Sequence, residues 1–226
     1  MECYILATEL KVAPGSRPDA TEIKQFINFI QSIVTRKKEL LYSISMFNLN
    51  KGFECALASL RAGFDLVFFM EEALLRQERP FTLQYVITYG SIEVPKRKGM
   101  FRGIVGGGLV RADIRMQNLR DSREKRFNVE IRDIVESGYL VKLFSLYQMV
   151  FDSWGRKDYR LASDLVDIWD YKMVARDMKK SPSLVWKRRK TLNIQQYNMI
   201  KDIIRQTPDL VIKKRPAKFS EQPPAF

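Results

Sequence analysis

The chain has 226 residues, a formal net charge of +13 and a hydrophobic fraction of 46%. This length and apolar content suffice for one mid-sized domain with a packed core and a smaller one beside it, and the positive charge favours an acidic partner, most often nucleic acid. Because the chain contains no histidine, imidazole bases, nucleophiles and metal ligands are excluded, and only carboxylates, lysines or tyrosines could do acid–base chemistry.

The sequence favours an intracellular protein that does not enter a membrane. Its two cysteines, Cys3 and Cys55, do not make a disulfide framework. The first residues, MECYILATEL, lack the basic region of a signal peptide. No apolar run approaches the ~20 residues that a membrane span needs. We therefore expect a cytoplasmic protein.

The first 138 residues have the pattern of an α+β domain. In chain order we expect a strand over 2–11, a helix capped by Asp19 or Thr21 and ending near residue 38, two strands joined by a tight turn at Asn50, a helix over 60–78, a strand over 81–94, a helix over 107–120 and a strand in RFNVEIRDI. A hairpin with a helix before and after it predicts a ferredoxin-like (palm- or cyclase-like) sheet layered with helices.

Beyond residue 138 the sequence becomes helical and basic. A connecting helix over 139–154 should lead to a separate all-α helix-turn-helix module over 155–205. Residues 206–226 contain four prolines and little periodicity, which predicts a flexible basic tail. From residue 153 onward, 17 Lys and Arg stand against 8 Asp and Glu. The positive charge is therefore concentrated in the last third of the chain.

The layout of a helix-turn-helix is visible in YKMVARDMKKSPSLVWKRRK, residues 171–190. Ala175 is small enough for the point where the two helices cross, and Val185 would pack inward from the second helix. Ser181 would cap that helix, whose first turn also contains a proline. One departure is Lys179, which occupies the turn position where glycine is usual.

The second helix of this motif would present one face to DNA. Bases would be read from its N-terminal part and phosphates would be held by its cations. The residues that we assign to this DNA contact are Ser183, Trp186, Lys187, Arg189 and Lys190. The alternative is a basic amphipathic helix pair whose cations only keep the surface soluble.

A glycine-rich stretch, FRGIVGGGLVRADIR, occupies residues 101–115. It could cradle a phosphate on the backbone N–H groups of 106–109, aided by Arg111 or Arg102. It could equally be a tight crossover in which a helix approaches a strand closely. The stretch has neither the Gly-Lys-Ser/Thr ending of a P-loop nor the spacing of a dinucleotide fingerprint, which favours the turn.

Several short motifs in this order resemble the bacterial SatD-like proteins, over nearly the whole chain. ELK places Glu9 at the acidic end of the family's first strand, and NKGFE (50–54) keeps Phe53 of its central hairpin. GSIE keeps Gly90, Ile92 and Glu93 of the next strand. GIVG (103–106) keeps the glycines of the family's loop with Val105 in place of an acid, and LVRAD keeps Ala112 of its helix, with Asp113 where the family has an arginine.

The resemblance implies a divergent nucleotidyl-cyclase-like palm domain followed by a helix-turn-helix. Enzymes with such palms bind two metal ions through carboxylates on the first strand and the central hairpin. Here Lys51 stands at the hairpin acid, and a lysine does not ligate Mg²⁺. We therefore expect no catalytic residues, no metal and no cofactor, and at most a vestigial nucleotide pocket formed by Glu9, Lys51, Gly106, Gly107, Gly108 and Arg111.

Three functions remain open from the sequence. The first is a non-enzymatic regulatory protein that binds duplex DNA, with a degenerate palm for dimerisation or for sensing an unknown small-molecule effector. The second is a nucleotidyl-cyclase-type enzyme with an altered metal site made of Glu9, Glu54 and Glu93. The third is a structural adaptor whose tail, IKKRPAK, contacts a partner protein or RNA.

Overall fold

The structure is a computed structural model that describes residues 1–12, 15–44, 52–77, 81–93, 105–120, 122 and 125–213. Five strands form one sheet: β1 (Glu2–Val12), β2 (Leu41–Ile44), β3 (Glu54–Leu57), β4 (Phe81–Ser91) and β5 (Phe127–Glu130). Their order is β2-β3-β1-β4-β5. The first four strands pair antiparallel, whereas β5 pairs parallel to β4.

The helices complete the predicted order of elements. They are α1 (Ala20–Arg36), α2 (Leu60–Leu75), α3 (Gly107–Arg120), α4 (Ile134–Asp152), α5 (Tyr159–Asp167), α6 (Tyr171–Asp177), α7 (Pro182–Thr191) and α8 (Ile194–Lys213). Up to β4 the chain runs β-α-β-β-α-β with the ferredoxin-like strand order, and α3 then crosses over to the parallel strand β5. The mixed α/β architecture expected from the sequence is confirmed.

The first helix shows how local sequence sets these boundaries. Asp19, rather than Thr21, is its N-cap: the Asp19 carboxylate accepts a hydrogen bond from the Glu22 backbone N–H, and Glu22 accepts one in return from the Asp19 N–H. This reciprocal pair is a capping box, and it satisfies two N–H groups that would otherwise lack partners.

The two faces of the sheet are covered unequally. Alternate side chains of a strand point to opposite faces, so that Leu6 and Tyr85 join one core while Ile5 and Val86 join the other. The first, larger core is covered by α1, α2 and α4. The second, smaller core is covered by α3 through small and medium side chains such as Ala112.

The glycines next to α3 allow a close approach between helix and strand. A Cβ added to Gly90 would lie 2.6 Å from the Gly108 Cα, and one added to Gly108 would overlap the Ile5 side chain. Gly106 has a φ of +140°, which a side chain would strain. The interpretation of this stretch as a tight crossover is therefore confirmed for residues 105–108, while Arg102 and Gly103 lie outside the described residues.

The predicted division into two domains is not visible in the packing of the described residues. The predicted connecting helix 139–154 is part of α4, which begins at Ile134 and places Phe144 and Tyr147 in the larger core. Side chains from the predicted separate module 155–205 belong to that same core, Val185 and Tyr197 among them. The physical reason is that α2 is apolar on more than one side, so it packs against the sheet and also against α8.

The C-terminal boundary also differs from expectation. Helix α8 continues to Lys213, so the first part of the predicted tail 206–226 is helical, and residues 214–226 lie outside the described chain. None of the described helices combines the length and the apolar character needed to cross a membrane.

Candidate nucleic-acid interface

A seam of ion pairs attaches the C-terminal helices to α2. The Arg205 guanidinium donates to Asp65 at 2.7 Å. About two turns further along α2, Glu72 accepts a hydrogen bond from the Tyr197 hydroxyl at 2.9 Å and pairs with Lys201. These contacts join residues more than 120 positions apart in sequence. Lys201 and Arg205 therefore serve the fold and are not available to a ligand.

A second ion pair is largely buried, with its carboxylate fully inside the molecule. Glu71 accepts a hydrogen bond from the Tyr85 hydroxyl at 2.7 Å and pairs with Arg126, which also reaches Asp152 at 2.7 Å. Burial raises the pKa of the Glu71 carboxyl, although Arg126 and Tyr85 act in the opposite direction. Burial alone would lower the pKa of Arg126, but the two carboxylates raise it above its usual range, so this arginine remains charged.

Several local features that the sequence predicts for α6 and α7 are present. Ala175 and Val185 are fully buried between the helices. Ser181 is the N-cap of α7 and accepts a hydrogen bond from the Leu184 backbone N–H at 3.4 Å. Lys179 has a φ of +52°, the left-handed conformation for which glycine is preferred at such a turn. The turn is built as expected, with a lysine in the glycine position.

The outward face of α7 combines aromatic rings with cations. Ser183, Lys187 and Lys190 are exposed, and 42% of Trp186 is accessible to solvent. The Lys190 ammonium lies 3.9 Å from the centroid of the Trp186 ring, within the range of a cation–π contact. Four of the five predicted DNA-contacting residues thus share one accessible surface.

Arg189, the fifth predicted residue, lies at the edge of this surface. It is half-buried, and its guanidinium stacks 4.6 Å from the ring centroid of Trp169, a side chain that is 63% exposed. The sequence analysis did not single out Trp169. Its signal was a tryptophan just before α6, which the helix pair brings next to α7. We call the set Trp169, Ser183, Trp186, Lys187, Arg189 and Lys190 the α7 surface.

The carboxylates of the alternative, enzymatic hypothesis do not come together as a metal site in the described residues. The Arg120 guanidinium binds both carboxylate oxygens of Glu9, at 2.8 and 2.6 Å, so a cation of the protein already occupies the position next to this carboxylate. Glu93 lies beyond the far end of β4, nine residues from the partner of Glu9, Gln84; at about 3.3 Å per residue this is roughly 30 Å.

The central hairpin supplies the other two positions relevant to a metal site, Glu54 and Lys51. Glu54 pairs with Ala7 in the sheet and shares a face with Glu9, whereas Lys51 lies outside the described residues. Among the residues that the structure describes, no group of three or more Cys, Asp and Glu could hold a metal ion. The residues present do not fit the pair of metal ions that the family resemblance implies.

The vestigial nucleotide pocket is also not brought together. Glu9 lies beside Arg120 at the C-terminal end of α3, while Gly106, Gly107 and Gly108 lie at its N-terminal end. A helix of 14 residues separates the two by about 20 Å, at about 1.5 Å per residue. The Arg111 guanidinium donates to the Tyr89 carbonyl at 3.2 Å, so it is tied to the sheet.

Comparison with known proteins gives only distant similarities. No family model and no curated protein sequence matches the chain. Among solved structures, a bacterial light-regulated adenylyl cyclase is 13% identical, with a TM-score of 0.39 over 57% of this chain and 76% of that one. The guanylyl cyclase Cya2 is 15% identical, with a TM-score of 0.38 over 53% of this chain and 70% of that one.

Proposed function

We propose that this protein is a non-enzymatic regulatory protein that binds duplex DNA through the α7 surface. The observation that supports this most is the difference between its cations: Lys187 and Lys190 have no carboxylate partner among the described residues, whereas Lys201 and Arg205 are paired. Cations on a convex helix surface suit contacts with phosphates, and we expect Ser183 and Trp186 to reach base edges.

The experiment is a fluorescence anisotropy titration of duplex DNA at several salt concentrations. The variant Lys187→Ala/Arg189→Ala/Lys190→Ala should bind more weakly on every sequence, with the salt slope lowered by about one unit per lost phosphate contact. Trp186→Ala should instead change the preference among sequences.

The matched control removes three exposed cations from another part of the molecule. Lys24→Ala/Arg36→Ala/Lys38→Ala removes the same charge from α1 and the turn that follows it and should leave the salt slope unchanged. If the α7 variant binds like the unmodified protein at about 100 mM salt, or if both triple variants lose binding equally, α7 is not the DNA contact.

We further propose that two copies of the chain associate through α4. Its outward stripe includes Val135, Tyr139, Leu146 and Met149, which are 66%, 61%, 46% and 65% exposed. Their spacing of four, seven and three residues follows a heptad seam, which a second copy of the same helix can match about a two-fold axis. A dimer would also present two α7 surfaces to DNA.

Sedimentation equilibrium tests this dimer. The unmodified protein should sediment as a dimer, and Leu146→Glu/Met149→Glu should sediment as a folded monomer with unchanged circular dichroism. A monomer for the unmodified protein at high micromolar concentration would exclude the dimer without affecting the DNA proposal.

The enzyme hypothesis is disfavoured because Arg120 neutralises Glu9. We expect no Mg²⁺- or Mn²⁺-dependent conversion of any nucleoside triphosphate. A cyclic or linear nucleotide product that disappears in Glu9→Ala would overturn this expectation.

A further inference from the structure

A basic cleft of about 530 Å³ lies beside α7, on the side away from Trp186 and Lys190. It is enclosed by the residues before and within α5, the turn between α6 and α7, and α7 itself. Leu184 and Arg188 line it from α7. At 3.6 residues per turn these two positions lie roughly opposite Trp186 and Lys190 on the helix. The cleft is therefore a different surface from the one proposed to contact DNA.

The positive charge of the cleft is not neutralised from within. Among the described residues that line the cleft, Asp158 is the one carboxylate. It is 7% exposed and bound by Arg188, whose terminal nitrogen lies 2.7 and 2.6 Å from its two oxygens. The other lining cations, Arg156, Lys157, Arg160 and Lys180, have no carboxylate partner in the part of the chain that the structure describes. Four uncompensated cations around one concavity are expected to attract a polyanion such as a phosphate chain.

The ion pair between Asp158 and Arg188 fixes one of these cations in place. A bidentate pair of this kind holds the guanidinium plane in one orientation. Arg188 retains further N–H groups beyond those that Asp158 accepts, since a guanidinium has five. One donor of the cleft is thus preorganised, which reduces the entropy lost when an anion binds.

The remaining wall of the cleft is apolar. Leu161 and Val185 are buried at its base, and Met178 and Leu184 border it. A DNA backbone alone has no group that needs such a wall, whereas a small ligand with a phosphate chain and a planar or apolar body uses both parts. The volume falls in the range of roughly 300–1,000 Å³ that is usual for small-molecule sites.

We propose that this cleft binds a nucleotide-sized phosphorylated small molecule, with its phosphates on Arg156, Lys157, Arg160 and Lys180 and its apolar body against Leu161 and Leu184. The proposal is independent of the DNA contact, because the residues of the two surfaces do not overlap. Since the cleft shares α7 with the α7 surface, its ligand would be an effector of the kind that a regulatory protein senses.

Isothermal titration calorimetry on the full chain tests this site with three probes: ATP, inorganic triphosphate and adenosine. ATP should bind tightest, triphosphate more weakly, and adenosine not measurably. Arg160→Ala/Lys180→Ala should weaken ATP binding at least tenfold. Leu184→Ala, at a position that is 53% exposed, should weaken the binding of ATP but not that of triphosphate.

The matched control is Lys187→Ala/Lys190→Ala, which removes the same charge from two α7 positions that do not line the cleft. This control variant should bind ATP like the unmodified protein but lose affinity for duplex DNA. The cleft variant Arg160→Ala/Lys180→Ala should lose affinity for ATP but bind duplex DNA like the unmodified protein. The cleft proposal fails if both double variants weaken ATP binding equally, or if neither does. It also fails if only duplex DNA binding responds to the cleft variant, which would make the cleft part of the DNA footprint. These failures concern the cleft alone, whereas the duplex affinity of Lys187→Ala/Lys190→Ala tests separately whether those lysines contact DNA.

Discussion

The seam on α2 and the α7 surface use cations of the same chain region for opposite purposes. In the seam, Lys201 and Arg205 each meet a carboxylate of α2. On the α7 surface, Arg189 and Lys190 instead meet the faces of two exposed tryptophans. In an ion pair the carboxylate neutralises the positive charge of the side chain, whereas an aromatic face leaves most of that charge available to a phosphate.

This difference shows why net charge alone is a poor guide to function. The excess of Lys and Arg after residue 153 is real, yet part of it stabilises the fold. Only the cations without a carboxylate partner can attract an acidic ligand. In the described residues after position 153, cations of this kind include those of the α7 surface and those of the cleft.

The largest expected effect concerns the buried pair. Arg126→Met should lower the free energy of unfolding by about 3–5 kcal/mol, because it leaves the buried Glu71 carboxylate without its partner. Urea denaturation measures the change. The control is Arg115→Met, at a half-exposed pair with Glu130, which should cost less than about 1 kcal/mol. Equal losses in the two variants would mean that the Glu71 pair is not buried as described.

The next effect tests the single core. Lys201→Met removes a charged hydrogen bond to Glu72 and should lower the free energy of unfolding by about 1.5–3 kcal/mol. Replacing the other two tryptophans (Trp169→Phe/Trp186→Phe) leaves the buried Trp154 as the single tryptophan fluorophore. On denaturation, its fluorescence and the far-ultraviolet circular dichroism should change together, in one unfolding transition. A change in fluorescence at a lower denaturant concentration than the change in circular dichroism would support a C-terminal module that unfolds separately.

The elements that were predicted correctly are those decided by neighbouring residues. Asp19 and Glu22 define the start of α1 within four positions, and Ser181 does the same for α7. The shared core could not be predicted because docking of α8 depends on contacts such as Asp65–Arg205, which no local pattern reveals. The ion pair between Arg120 and Glu9 also joins residues 111 positions apart, so no local pattern reveals it. This pair neutralises the first carboxylate of the candidate metal site.

A smaller effect follows from the raised pKa of Glu71. Because the folded-state pKa lies above the unfolded value of about 4.3, the folded chain holds this proton more tightly than the unfolded chain. The resulting stability is fully present below the unfolded pKa and is lost as the pH rises through the folded one. The difference in unfolding free energy between the unmodified protein and Glu71→Gln should therefore be larger near pH 4 than near pH 7. A difference that grows with pH would show that Arg126 outweighs burial.

The smallest effect concerns the turn before α7. Lys179→Gly should leave stability unchanged or raise it by up to about 1 kcal/mol, because glycine adopts the left-handed conformation without strain. Lys179→Val should destabilise the protein, since a β-branched side chain disfavours positive φ. Thermal denaturation of both variants checks this order. If valine is tolerated as well as glycine, the turn does not have the described backbone conformation.

The central claim, that α7 contacts DNA, is tested most directly by locating the contact. The full chain is cross-linked by ultraviolet light to a duplex that contains bromodeoxyuridine, and the attached tryptic peptides are identified by mass spectrometry. We predict that the duplex becomes attached to the peptide SPSLVWK, residues 181–187, which contains Trp186. In the variant Lys187→Ala/Arg189→Ala/Lys190→Ala, the peptide that contains Trp186 should carry no cross-link. Cross-links that fall on the sheet or on α3, with residues 181–193 unmodified, would contradict the account.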